Sequence, residues 1–148
     1  MAKKKVISKK AVPAKTVLVL RTVSENMTSR DGFVYPASGL VSAPDWSPSV
    51  ECGKGLHGLL WGEGHGAFLS WEKNAKWLVL KVDEDKIVDL TSIDNTMKCK
   101  FPEGEVVHVG DQKSATDYIL ANGGQDRAVV GSFVIAAKYG QATGRYKG

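Results

Sequence analysis

Between Glu51 and Gly66 the chain reads ECGKGLHGLLWGEGHG, which holds six of its sixteen glycines, two of its three histidines and one of its two cysteines. Glycine lacks a Cβ, so such a stretch can take positive φ or let another backbone come close. Leu56, Leu59, Leu60 and Trp61 supply an apolar component, and together the pattern predicts a partly buried strand with turns on both sides. The spacing is neither G-x-G-x-x-G after a strand nor G-x-x-x-x-G-K-[ST], so no phosphate-binding loop is expected. Whatever approaches this backbone is a neighbouring strand or a ligand. In the ligand case Gly55, His57 and Trp61 are the residues expected to face it.

Charge divides the chain more sharply than its net +4 suggests. Lys3, Lys4, Lys5, Lys9, Lys10 and Lys15 fall in the first sixteen residues with no acid among them, leaving 14 basic and 16 acidic residues for the rest. Residues 1–15 show no periodicity and read as a disordered basic arm. Residues 16–137 are expected to form one globular domain, and 138–148 a glycine-punctuated C-terminal tail. At 148 residues with 43% hydrophobic and 24% charged content, the chain is in the ordinary range of a single globular domain. No apolar run approaches the ~20 residues of a membrane span, so no membrane partner is expected. No apolar signal core follows the basic start, which argues against secretion by that route. Cys52 and Cys99 stand far apart in sequence and are expected as two lone thiols.

Thr16–Val23 is an apolar, β-branched run that predicts a buried first strand, with Arg21 as its one charge. An arginine ending a buried strand needs a partner or a cleft. From Ser24 to Pro48 turn formers dominate around a short strand at Phe33–Tyr35, and a loop this long often lines a functional surface. Ala67–Trp71 with Ala75 predicts a short helix. Further strands are expected at Lys76–Asp83, Lys86–Leu90, Lys98–Phe101 (exposed or at an edge), Glu105–Gly110 and Ala128–Ala137. Asp111 is placed to cap a second helix over 114–120, stopped by Asn122-Gly123-Gly124. The fold class is therefore α+β: a β-rich single domain with a mixed or antiparallel sheet and two short helices.

Cys52, His57, His65 and His108 offer metal-ligand types, but their spacings match no familiar zinc site, and no metal is expected. Arg21 near the end of the first strand and Glu103-Gly104-Glu105 at the mouth of a later one together resemble the mono-ADP-ribosyltransferase pattern. That resemblance implies Arg21 as a phosphate clamp, Glu105 as the catalytic carboxylate, Glu103 as the group activating the acceptor, and NAD as the cofactor. The residue types suit those roles, a planar fork for phosphate and a carboxylate facing developing positive charge. The central Ser-Thr-Ser motif is absent, and Gly55-Leu56-His57-Gly58 would have to occupy its place.

A second resemblance covers more of the chain. Cys52-Gly53-Lys54-Gly55-Leu56-His57-Gly58, the aromatic-rich segment after it, Trp77–Asp83 and Phe101–Val107 are similar to an uncharacterised domain of bacteriophage and prophage proteins. Tyr139–Gly148 is similar to one degenerate copy of the glycine-punctuated Thr-Ala repeats that follow that domain. The resemblance implies a viral protein in the host cytoplasm or the virion. The leading expectation is a non-catalytic, host-directed binding protein without a cofactor. It would act on a host or phage protein through the glycine-rich face, with non-specific nucleic-acid contact through the basic arm. The alternatives are an ADP-ribosyltransferase-like enzyme and a structural virion protein.

Overall fold

The computed structural model describes residues 15–133; the arm up to residue 14 and everything from residue 134 onward lie outside the described residues. Among the described residues seven strands form one sheet: β1 (Thr16–Val23), β2 (Gly39–Ser42), β3 (Leu56–Leu60), β4 (Lys76–Asp83), β5 (Val88–Asp89), β6 (Cys99–Phe101) and β7 (Glu103–Gly110). One α-helix, α1 (Gln112–Ala121), follows them. The strand order is β2-β7-β4-β1-β3-β6-β5, and all six pairings are antiparallel. The spine is β1 against β4, paired residue for residue from Thr16↔Asp83 to Val23↔Lys76.

The connection between β6 and β7 determines the shape. These strands are consecutive in the chain, with only Pro102 between them, yet β4, β1 and β3 separate them in the sheet. In a flat sheet four strand spacings would span roughly 19 Å. Two residues of extended chain reach only about 7 Å. The sheet must therefore curl until its β6 and β7 flanks meet. Glycines accommodate the close contacts this creates. A Cβ on Gly104 would lie 3.1 Å from Val82 Cγ2, and one on Gly58 would lie 2.2 Å from Val19 Cγ1 and 3.0 Å from the Leu20 carbonyl oxygen.

Strand alternation then makes two separate cores. The inner face gathers residues from both flanks of the sheet, including Val41 from β2, Val106 from β7, and Cys99 and Phe101 from β6, around Val19, Leu78 and Leu80. The outer face buries Leu18, Leu20, Leu59, Trp77 and Val79 against Ala115 and Ile119 of α1. The helix starts where the sequence predicts. The Asp111 carboxylate accepts from the Ser114 amide while the Ser114 hydroxyl accepts from the Asp111 amide, a capping arrangement worth about 1 kcal/mol.

The structure is the expected β-rich α+β domain, and it corrects several local expectations. The segment expected as a helix at Ala67–Trp71 is only a 3-10 turn, Gly66–Phe68. Leu69 is already extended, and the Ser70 amide donates to Thr22 Oγ1 instead of continuing a helix. Lys98–Phe101 is not an edge strand: β6 lies between β3 and β5, and Lys100 is fully buried beneath the Trp46 ring, 5.4 Å from its centroid. Phe33–Tyr35 makes a single bridge, Thr28↔Val34, in place of a strand. Of the strand expected at Ala128–Ala137, residues 128–133 are irregular, and residues 134–137 lie outside the described residues. Here Val129 is buried on the outer face and the Val130 amide donates to the Gly62 carbonyl. Cys52 is an exposed free thiol, and burial pushes the free Cys99 thiol up to about 12.

Gly58→Ala should lower unfolding stability by about 1–3 kcal/mol through overpacking against β1. Denaturant titration checks this, and a midpoint equal to the parent's would show that β1 and β3 can separate without loss.

Candidate functional site

Arg21 has the parity of Val19 and Val23 and so points to the inner face, at the end of the sheet where β1 stops and β3 and β4 begin. A cleft of about 1040 Å³ opens there. One wall is the loop from Ser24 to Tyr35, another is Ala67–Ser70, and the floor includes Gly55, Leu56 and His57. The long loop flagged by its turn formers thus borders this cleft.

The guanidinium is half-buried and held in one position. Nη1 donates to the Tyr35 hydroxyl and to the His57 carbonyl, each at 3.0 Å, and Nε donates to the Thr22 carbonyl at 3.3 Å. Its carbon lies 4.9 Å from the Tyr35 ring centroid and 5.8 Å from that of Phe68, close enough for cation–π attraction to both rings. Every acceptor it engages is neutral, and among the described residues no carboxylate forms an ion pair with it.

The surrounding groups are fixed in their charge states. His57 Nε2 accepts from the Gly53 amide at 3.2 Å. Burial, and then the charges of Lys98, Arg21 and Lys100, hold the His57 imidazole down at about 4, so it is neutral at physiological pH. Across the cleft the Asp94 carboxylate accepts from the Thr96 hydroxyl and amide, which with Lys98 at 3.4 Å brings it to about 2. Burial raises the Tyr35 phenol, keeping it protonated.

The residues singled out from sequence separate into groups. Arg21, Gly55 and His57 line the cleft. Trp61 does not: it packs on the outer face, with the Arg127 guanidinium 4.9 Å from its ring centroid. Glu105 sits opposite Lys81 on β4, whereas Arg21 sits opposite Leu78, and residues 78 and 81 of one strand point to opposite faces. Glu105 pairs with Lys81 at 4.0 Å and Glu103 with Lys86 at 3.0 Å, both outside the cleft. Of the arm lysines, Lys15 pairs with Glu84 at 3.5 Å; Lys3, Lys4, Lys5, Lys9 and Lys10 lie outside the described residues. Among the described residues no three His, Cys, Asp or Glu side chains gather as a metal-ligating group. Sequence reasoning missed Tyr35, Phe68 and Lys98. Tyr35 stood in the flagged loop, but nothing in the spacing ties it to Arg21 fourteen residues away.

A curled antiparallel sheet with one outer helix and an arginine-centred cleft at its mouth thus defines the class of domain. The chain belongs to the family described as "Domain of unknown function (DUF7666)", whose model matches residues 17–118. It is 46% identical over 106 residues to an ice nucleation protein of Pseudomonas fluorescens, covering 72% of this chain and 8% of that protein. It is 44% identical over 104 residues to an ice nucleation protein of Pseudomonas syringae, covering 70% of this chain and 9% of that one. To the ice nucleation protein InaU of Pantoea ananas it is 40% identical over 104 residues, covering 70% of this chain and 10% of the relative. The chain therefore spans about a tenth or less of the length of these relatives. No solved structure matches it.

These relatives are bacterial proteins, and they overturn the phage assignment together with the host-directed factor, the virion component and the location in host cytoplasm or virion drawn from it. The ADP-ribosyltransferase likeness falls on the same ground, and NAD goes with it. Its three supposed catalytic residues also lie on opposite faces of the sheet. The relatives are named for ice nucleation and not for a reaction, in keeping with the non-enzymatic expectation.

The pH dependence follows from His57. Its folded pKa lies below the ordinary 6.5, so the unfolded chain binds the proton more readily. Stability is complete above about 6.5 and declines as pH falls toward 4. Unfolding curves between pH 7 and 4 should show this decline, flattened in His57→Gln; an unchanged slope in that variant would assign the decline to other groups.

Proposed function

We propose that this chain serves bacterial ice nucleation as a compact accessory module and not as the surface on which ice is ordered. The observation that carries this reading is the 46% identity to an ice nucleation protein of which the chain spans only 8%. The geometry supports the second half of the statement. Ordering water into a crystal face requires a flat, regular array of groups. Here the sheet is curled, its inner face is closed into a core, and the centre of its outer face is covered by α1 and the segment around Leu69. A strongly curved sheet offers no plane of that kind.

Droplet freezing tests both halves. Suspensions of the purified 148-residue chain should freeze at the temperature of buffer alone. A Pseudomonas syringae ice nucleation protein whose matched segment is replaced by residues 17–118 of this chain should freeze closer to its parent than one with that segment deleted. Freezing raised by the chain alone would overturn the accessory reading, and a replacement no better than the deletion would overturn the shared role.

A further inference from the structure

We infer that the cleft is a binding site for a ligand bearing a single oxyanion group, a phosphate or a carboxylate, received by Arg21 and Tyr35. A guanidinium has five N–H donors. On Arg21 the bond from Nε and the two from Nη1 are taken, and none of its hydrogen bonds uses Nη2. Among the described residues no buried side-chain nitrogen or oxygen lacks a partner, so Nη2, on a residue that lines the cleft, is open to it. The Tyr35 hydroxyl accepts from Arg21 Nη1 and none of its hydrogen bonds uses its own proton, which leaves a second donor on a residue that lines the cleft. Among the described residues Arg21 makes no ion pair: the groups it contacts are neutral, and the carboxylate that acts on it from a distance, Asp31, is hydrogen-bonded to Ser29 instead. A half-buried charge with no carboxylate in contact is where an anionic ligand gains most.

Lys98 brings a second cation to the Phe68 ring, its charge partly offset by Asp94 at 3.4 Å. Its Nζ lies 5.7 Å from the Phe68 ring centroid, against 5.8 Å for the Arg21 carbon, so both cations lie near the same ring. His57, neutral and accepting from the Gly53 amide, adds no charge of its own. The remainder of the cleft limits the ligand's charge. Glu25, Asp31, Asp45 and Glu72 line it and outnumber the cations Arg30 and Lys54 there, and Asp94 is already bound to Lys98. Those carboxylates repel a polyanion while leaving the Arg21 corner open to one anionic group. The volume of about 1040 Å³ leaves room for a polar or cationic remainder along the loop at residues 24–31.

The test is a nitrogen-15 NMR titration of the full chain with sodium phosphate and, separately, sodium acetate, each at ionic strength matched with sodium chloride. Saturable shifts centred on the Arg21 side-chain Nε–Hε, His57 and Lys98 in either series support the site, and the series that saturates at lower concentration names the group. Arg21→Gln should weaken that binding about tenfold or more, the loss expected for a charged hydrogen bond. If Arg21→Gln does not fold, Tyr35→Phe and Lys98→Gln carry the same test with smaller losses. Shifts that stay linear and scatter over surface lysines in both series, or binding unchanged in these variants, would overturn the site. Pyrophosphate binding more tightly than phosphate would overturn its restriction to a single anionic group.

Discussion

A link of one residue between β6 and β7 is the constraint on which the rest of the structure depends. With Pro102 alone joining strands that the sheet order sets four positions apart, the sheet has to close toward itself. Closure gives the inner face a core fed from both flanks, where Val41 and Cys99 belong to one packed cluster. It also demands thin backbones at the points of closest approach, and Gly58 and Gly104 occupy two of them. Any side chain there would push apart strands whose separation the link does not allow. The glycine-rich stretch at 51–66 is thus explained in part by strand packing, with β1 as the neighbour that Gly58 admits.

Curling also creates the cleft. A closed sheet has a mouth, and a residue of inner-face parity at the last turns of a strand must point into it. Arg21 is that residue on β1, and the loop from Ser24 onward folds back so that Tyr35 meets it. The two rings and three neutral acceptors around the guanidinium hold it in place without cancelling its charge. The ion pairs outside the cleft, such as Lys15–Glu84 and Lys113–Asp117, are largely exposed and individually worth little. The unpaired cation at the mouth is therefore the feature of this domain with the most electrostatic leverage on a ligand.

The sequence showed the parts of this that are local. β1 and β4 were legible as apolar β-branched runs because both faces of these central strands are buried, and α1 because Asp111 caps it. The errors came from what distant segments do. Lys98 and Lys100 alternate with apolar residues, the signature of an exposed strand, but Trp46 and the loop before β3 cover Lys100. β2 presents only Val41 as a buried residue in four, too little pattern to distinguish it from loop. Arg21 was recognised as needing a partner or a cleft, and it has a cleft. The grouping with Glu103 and Glu105 failed because strand parity, which depends on register and on the bulge in β7 between the partners of Val79 and Leu80, puts them on the other face.

The span shared with the family runs from Val17 to Tyr118, which takes in every strand and most of α1. It covers the sheet and the start of the helix and not merely a patch of surface. The described structure continues past it as a strap that seals the outer face. Ile119 and Val129 bury themselves there, the Val130 amide donates to the Gly62 carbonyl, the Gln112 side chain donates to the Gly131 carbonyl, and Arg127 pairs with Glu63 at 3.1 Å. Each of these contacts ties the strap to the segment just after β3 or to the start of α1, on the face away from Arg21. The strap and the cleft therefore act on opposite sides of the same sheet. Changes in the strap can alter how firmly the outer core is closed while leaving the donors at the mouth in place, because Arg21 takes its orientation from Tyr35 and the His57 carbonyl, both inside the shared span.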